Sequence, residues 1–155
     1  MEESSGKDGF AHLHAWRALA QLKAQQAIAP VLKRFRDDAD QFVHEDFTEV
    51  FTLFGPASIP GLRDVMDGPY VLSLCLVAAR TLFEMGSRDR DAAPQCVEIL
   101  IEQLRGCRRN PRPLNTDLIT ALQKLKVFLA QTLIDEVESA GAYIRVTDFL
   151  GEPLL

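Results

Sequence analysis

A chain of 155 residues has the length of one domain, enough to bury roughly 70% of its unfolded surface. Its 47% hydrophobic and 25% charged residues match a globular protein and exclude disordered and fibrous classes. A formal net charge of −5 argues against a general attraction to nucleic acid or anionic lipid.

The opening residues, MEESSGKDGF, lack the apolar core of a signal peptide, and residues 1–9 read as a disordered N-terminal tail. The longest apolar run, YVLSLCLVAARTLF, is interrupted at Arg80 and is too short to span a bilayer. Three widely spaced cysteines, Cys75, Cys96 and Cys107, read as reduced thiols rather than a disulfide framework. Together these features set a cytoplasmic location as the expectation.

From residue 10 to residue 140 the apolar residues recur at intervals of three and four, the period of amphipathic helices. Sliding the sequence by 31 residues pairs Trp16 with Phe47, Leu19 with Val50, Leu22 with Leu53, Ile28 with Ile59 and Val31 with Leu62. Each copy then reads as two helices. In the first copy Leu13, Trp16, Leu19 and Leu22 form one face, and after a turn Ile28, Val31, Leu32 and Phe35 form the other. The second copy uses Val43, Phe47, Val50 and Phe54, turns at Gly55-Pro56, and continues with Ile59, Leu62 and Met66.

The third copy runs through Leu74, Val77, Leu82 and Met85, turns at SRDRD, and resumes with Val97, Leu100, Ile101 and Leu104. Its first helix is apolar on nearly every side and is expected at the centre. Pro30, Pro60 and Pro94 each fall in the first turn of a second helix, where the missing N–H costs nothing. Gly55 and Gly86 fall where a first helix ends, a place that favours positive φ. The segment RGCRRNPRPLN is expected as a loop, with Asn115 or Thr116 capping a fourth copy. That copy uses Leu118, Leu122 and Leu125, then Leu129, Leu133, Ile134 and Val137. Residues 141–155 read as an apolar capping tail, with a short strand conceivable at YIRV.

The predicted architecture is all-α: a right-handed α-solenoid, HEAT/armadillo-like, of about four antiparallel helix hairpins. HAWRALAQLKAQQAIAPVL and EDFTEVFTLFGPASIPGLRDVM resemble the short bacterial HEAT repeats of the bilin-lyase type. The family pattern is a first helix ending L-x-x-L/F-G, followed by A-x-I-P-x-L, and the resemblance covers roughly residues 12–140. The resemblance implies a curved scaffold that binds another protein, with the second helices on its concave face. It transfers no catalytic residue.

The outward positions on those helices are the candidate partner-binding residues. They are Lys33 and Arg34, Arg63 and Asp64, Glu98 and Glu102, and Asp135 and Glu138, passing from positive to negative along the array. Arg105, Arg108, Arg109 and Arg112 form a second candidate, an anion contact, although no aromatic residue interleaves with them for base stacking.

No metal site or cofactor is expected. His44-Glu45 is the one His-Glu dyad, where HEAT-type deoxyhypusine hydroxylases hold two irons with four, and Thr48 stands where an HExxH site needs its second histidine. His12 and His14 lie near opposite helix faces. Cys75 and Cys96 fit as small core hydrophobes, whereas Cys107 sits among arginines that favour a reactive thiolate. The reading that follows is a non-catalytic protein–protein interaction module. The alternative is a HEAT-like enzyme or nucleic-acid-binding protein of the DNA glycosylase or bilin lyase kind, and a homodimer through the apolar tail is a third reading.

Overall fold

The computed structural model describes residues 5–38, 44–68 and 71–142. Among the described residues there are eight α-helices and no strand. They are α1 (Ser5–Gln21), α2 (Ile28–Asp37), α3 (His44–Phe54), α4 (Ile59–Asp67), α5 (Leu72–Arg88), α6 (Ala93–Arg105), α7 (Arg112–Lys124) and α8 (Gln131–Ser139). The helix α1 begins inside residues 1–9, which composition had marked as a tail. The position of Val43 and the segment 143–155, with its expected cap and strand, lie outside the described residues.

Proline and short tight turns set the helix starts. Pro30 is the third residue of α2, and Pro60, Pro94 and Pro113 are the second residues of α4, α6 and α7. At these places an amide hydrogen has no intrahelical acceptor, so its absence leaves no bond unmade. Both α2 and α4 are entered through a single 3-10 turn, Gln25–Ala27 and Gly55–Ser58. The second of these is fastened by Ser58, a buried hydroxyl whose Oγ donates toward the carbonyls of Gly55 at 2.7 Å and Phe51 at 3.1 Å. Before α6, Asp89 Oδ1 accepts from the amides of Asp91 and Ala92 and so shapes the turn out of α5.

Helix ends are closed by left-handed residues. Lys23, Gly55, Lys126 and Gly141 have φ between 54° and 76°. After α1, α7 and α8 the amide bonds follow a Schellman pattern: Ala24 to Leu19, Val127 to Leu122 and Ala142 to Val137. Two of those positions are lysine, which carries a Cβ penalty that glycine lacks. Lys126 is exposed, so Lys126→Gly is expected to raise the unfolding free energy by about 0.5–1 kcal/mol, read as a higher urea midpoint at unchanged slope. Lys23→Gly is not equivalent, because Lys23 Nζ also donates to the Leu53 carbonyl.

Gly86 departs from its expected role. It lies within α5 in ordinary helical conformation, and a Cβ there would meet Cys96 Cβ at 3.3 Å. Its small size lets α5 and α6 approach closely, and the helix itself continues to Arg88.

Helix α5 is central. It packs against α3, α4, α6 and α7, and buries Leu74, Cys75, Val77, Ala78, Leu82 and Met85 among others. Around it α1 lies on α3, α2 on α3 and α4, α4 on α6, and α6 on α7. The stripes of α2 (Ile28, Val31, Leu32, Phe35) and α4 (Ile59, Leu62, Met66) are buried as their spacing requires, and Ile28 and Ile59 each open their helix.

The stripe of α1 is rotated from its expected position. Leu22 is 78% exposed and Leu19 is 36% exposed, whereas Ala20 is fully buried and Trp16 packs on the core. Of the helices, α3 is the chief neighbour of α1, so a narrower apolar strip suffices. Across that contact Arg17 bonds Glu49 at 2.7 Å and Asp46 at 3.1 Å. The hydrogen bond to Glu49 holds the Arg17 guanidinium above its ordinary pKa.

Candidate partner-binding face

The eight candidate residues on α2, α4, α6 and α8 are all exposed. On each helix they flank the buried stripe or stand opposite it, and Glu138, one turn from Ile134, borders the apolar wall of α8. Lys33, Arg34, Arg63 and Glu102 are matched locally by opposite charges. Lys33 reaches Asp37 at 2.6 Å, and Arg34 reaches Asp38 at 2.9 Å, both one helical turn on. Arg63 spans from α4 to α6, where its Nη2 bonds Glu102 at 2.5 Å, and its Nε lies 3.8 Å from Asp67. On α8, Gln131 Nε2 donates to Asp135 at 2.8 Å. Exposed pairs of this kind contribute about 0–1 kcal/mol each, so a partner's charges can replace them at little cost.

The arginine segment is ordered by a network that composition did not reveal. Asn115 is not a cap: α7 begins at Arg112 after Pro111, and Asn115 is fully buried in its first turn. Asn115 Nδ2 donates to the carbonyls of Cys107 at 2.9 Å and Ala142 at 2.7 Å, and its Oδ1 accepts from Asn110 at 2.8 Å. Asn110 in turn donates to the Gln103 carbonyl at 2.7 Å and accepts from Gln103 Nε2 at 2.8 Å. Proline at the second helical position and an asparagine with three partners let helix form where those residues suggested loop.

Arg105, Arg108, Arg109 and Arg112 are exposed around this network. Arg108 lies 3.8 Å from Glu136 of α8. Arg109 lines a cavity of about 480 Å³ with Met66, Asp67, Leu72, Cys75 and Glu102. The acids at that rim make it mixed in sign, rather than a purely cationic site.

Cys107 is 1% exposed, so the thiol read as reactive among the arginines is packed inside. Cys75 and Cys96 are buried too, and all three are unbonded to one another. Burial, reinforced by the nearby Asp89 carboxylate, pushes the Cys96 thiol up to about 11, and burial raises Cys75 as well. With folded Cys96 holding its proton where an unfolded thiol has lost it, stability falls as pH rises from about 8.5, the ordinary thiol value, toward 11. A thiol reagent at pH 8 is expected to titrate three cysteines in denaturant and to react with none rapidly in the native chain. Rapid native labelling of any one would contradict this packing.

Among the described residues no three His, Cys, Asp or Glu side chains gather at metal-binding distance. His12 is exposed and stacks on Trp16 at 6.3 Å, and the side chain of His44 lies outside the described residues. Trp16 meets Phe35 at 4.8 Å and is a packing residue. A further groove between α5 and α7 is lined by Arg80, Phe83, Glu84, Asp117 and Lys124, and burial raises the Asp117 pKa. No helix among the described residues is long and apolar enough to cross a membrane. Comparison with family models, curated proteins and solved structures finds no match to this chain.

Proposed function

We propose that this chain is a HEAT-like right-handed α-solenoid of four helix hairpins, α1–α2 to α7–α8, that binds another protein without catalysing a reaction. The observation that carries the reading is the second-helix ridge: Lys33, Arg34, Arg63, Asp64, Glu98, Glu102, Asp135 and Glu138 all reach solvent from helices whose opposite sides are built into one core. The serial contacts of α1 with α3, α3 with α5 and α5 with α7, beside those of α2 with α4 and α4 with α6, support stacking of like elements. The matching entries into α2 and α4, each through a 3-10 turn and an early proline, support the repeat.

The partner that fits is an extended or helical segment with acidic residues toward α2 and basic residues toward α8. Its charges would exchange with the Lys33–Asp37, Arg34–Asp38 and Arg63–Glu102 pairs, which fixes register and polarity more than affinity. A photo-crosslinking side chain placed at Asp64 or Glu98 in cells is expected to capture one protein. The same probe at Arg80 or Thr120, on the α5–α7 side, is expected to capture none. Capture from Arg80 or Thr120 in preference to the ridge, or no adduct from any ridge position, would overturn the assignment.

A further inference from the structure

Helix α8, the last among the described residues, is incompletely covered. Only Val137 of α8 is fully buried, and Leu133 packs partly on the core. Between α6, α7 and α8 lies an apolar groove of about 160 Å³ lined by Leu104, Ile119, Leu129, Leu133, Ile134 and Val137. It has room for at least one branched or aromatic side chain. The polar contribution to its wall comes from Gln123 and Glu138 at the rim.

We propose that this groove is the docking slot for residues 143–155 of the same chain. The place where the described backbone ends favours that occupant. The Schellman turn at Gly141 (φ 56°) closes α8 by bonding the Ala142 amide to the Val137 carbonyl, and Ala142 and Val137 are both buried. Val137 is itself a wall of the groove. The Ala142 carbonyl is held by Asn115 Nδ2 at 2.7 Å, so the departure point is fixed to α7 as well as to α8. The chain therefore leaves the described structure beside the slot.

Length and composition agree. Residues 143–155, YIRVTDFLGEPLL, contain seven apolar side chains in thirteen, counting Tyr143, Ile144, Val146, Phe149, Leu150, Leu154 and Leu155. Fully extended they reach about 43 Å, about three times the roughly 13 Å length of the nine-residue α8. Being tethered, the segment meets the groove at a high effective concentration that a second copy or a separate protein would have to exceed.

Limited proteolysis of the full chain with chymotrypsin tests the assignment, with a synthetic peptide of residues 143–155 as the unprotected reference. Cleavage after Phe149 is expected to be at least tenfold slower in the chain than in the peptide, independent of protein concentration. Ile134→Ser is expected to restore cleavage after Phe149 to near the peptide rate while leaving cleavage after Phe128, which is 98% exposed, unchanged. Leu22→Ser, at a remote exposed position, is expected to leave the protection intact. Cleavage after Phe149 at the peptide rate in the unsubstituted chain would overturn the proposal, as would protection indifferent to Ile134→Ser. Protection that grows with protein concentration would assign the groove to a second copy and overturn it equally.

Discussion

Replacing Phe35 with alanine is expected to lower the unfolding free energy by about 4 kcal/mol, the largest effect anticipated for a single residue here. Phe35 is 1% exposed, and its ring centroid lies 4.8 Å from Trp16, 5.1 Å from Phe47 and 5.8 Å from Phe51. The loss combines transfer of a whole ring with the cavity it leaves, because the rings around it belong to α1 and α3 and cannot both close the gap. The chain has one tryptophan, so the effect has a local optical readout. Trp16 emission is expected to shift to the red in Phe35→Ala under native conditions. A variant within about 1 kcal/mol of the parent with unchanged emission would mean that α1 does not dock through this cluster.

The second large effect is expected at Asn115, where alanine should cost about 3 kcal/mol. Three hydrogen bonds disappear, and the carbonyls of Cys107 and Ala142 lose a donor inside the protein. At this chain length each kcal/mol corresponds to about 2–4 °C in Tm, so the midpoint is expected to fall by roughly 6–12 °C. Aspartate is expected to be worse than alanine, since it keeps the shape but replaces two donors with an acceptor and buries a charge. Thr120→Ala, which removes an exposed hydroxyl bonded to the Thr116 carbonyl of its own helix, supplies the contrast and should change stability by no more than about 0.5 kcal/mol. An Asn115→Ala midpoint equal to that of Thr120→Ala would remove the polar network from the account of how α7 and α8 are joined.

The helical period was legible because it is dictated by one-sided burial: Ile28, Val31, Leu32 and Phe35, or Ile59, Leu62 and Met66, fall on a face at intervals of three and four and are buried. The prolines were legible for a related reason, since their chemistry is local. Leu19 and Leu22 misled because a terminal helix obeys the same propensity rules but has fewer neighbours, so apolar residues remain at its surface. Gly86 misled because one residue type serves two purposes, a left-handed turn and a close helix contact, and only the position of Cys96 tells them apart. The role of Asn115 was hidden altogether. Its partners Cys107 and Ala142 are eight positions before it and twenty-seven after it, and no local pattern links them. On the candidate face, exposure was readable from the stripe, whereas the Arg63–Glu102 pair, thirty-nine positions apart, required the fold.

The position of α5 bears on how the molecule opens. A helix touching four others cannot separate without dissolving most of the core, so its amides are expected to exchange with solvent only through complete unfolding. At the edges the situation differs: α1 rests chiefly on α3, and α8 buries one residue fully. Among the described residues the centre is therefore hard, and α1 and α8 are expected to open independently of each other. Sub-global openings at either end leave the middle of the ridge, Arg63 to Glu102, undisturbed.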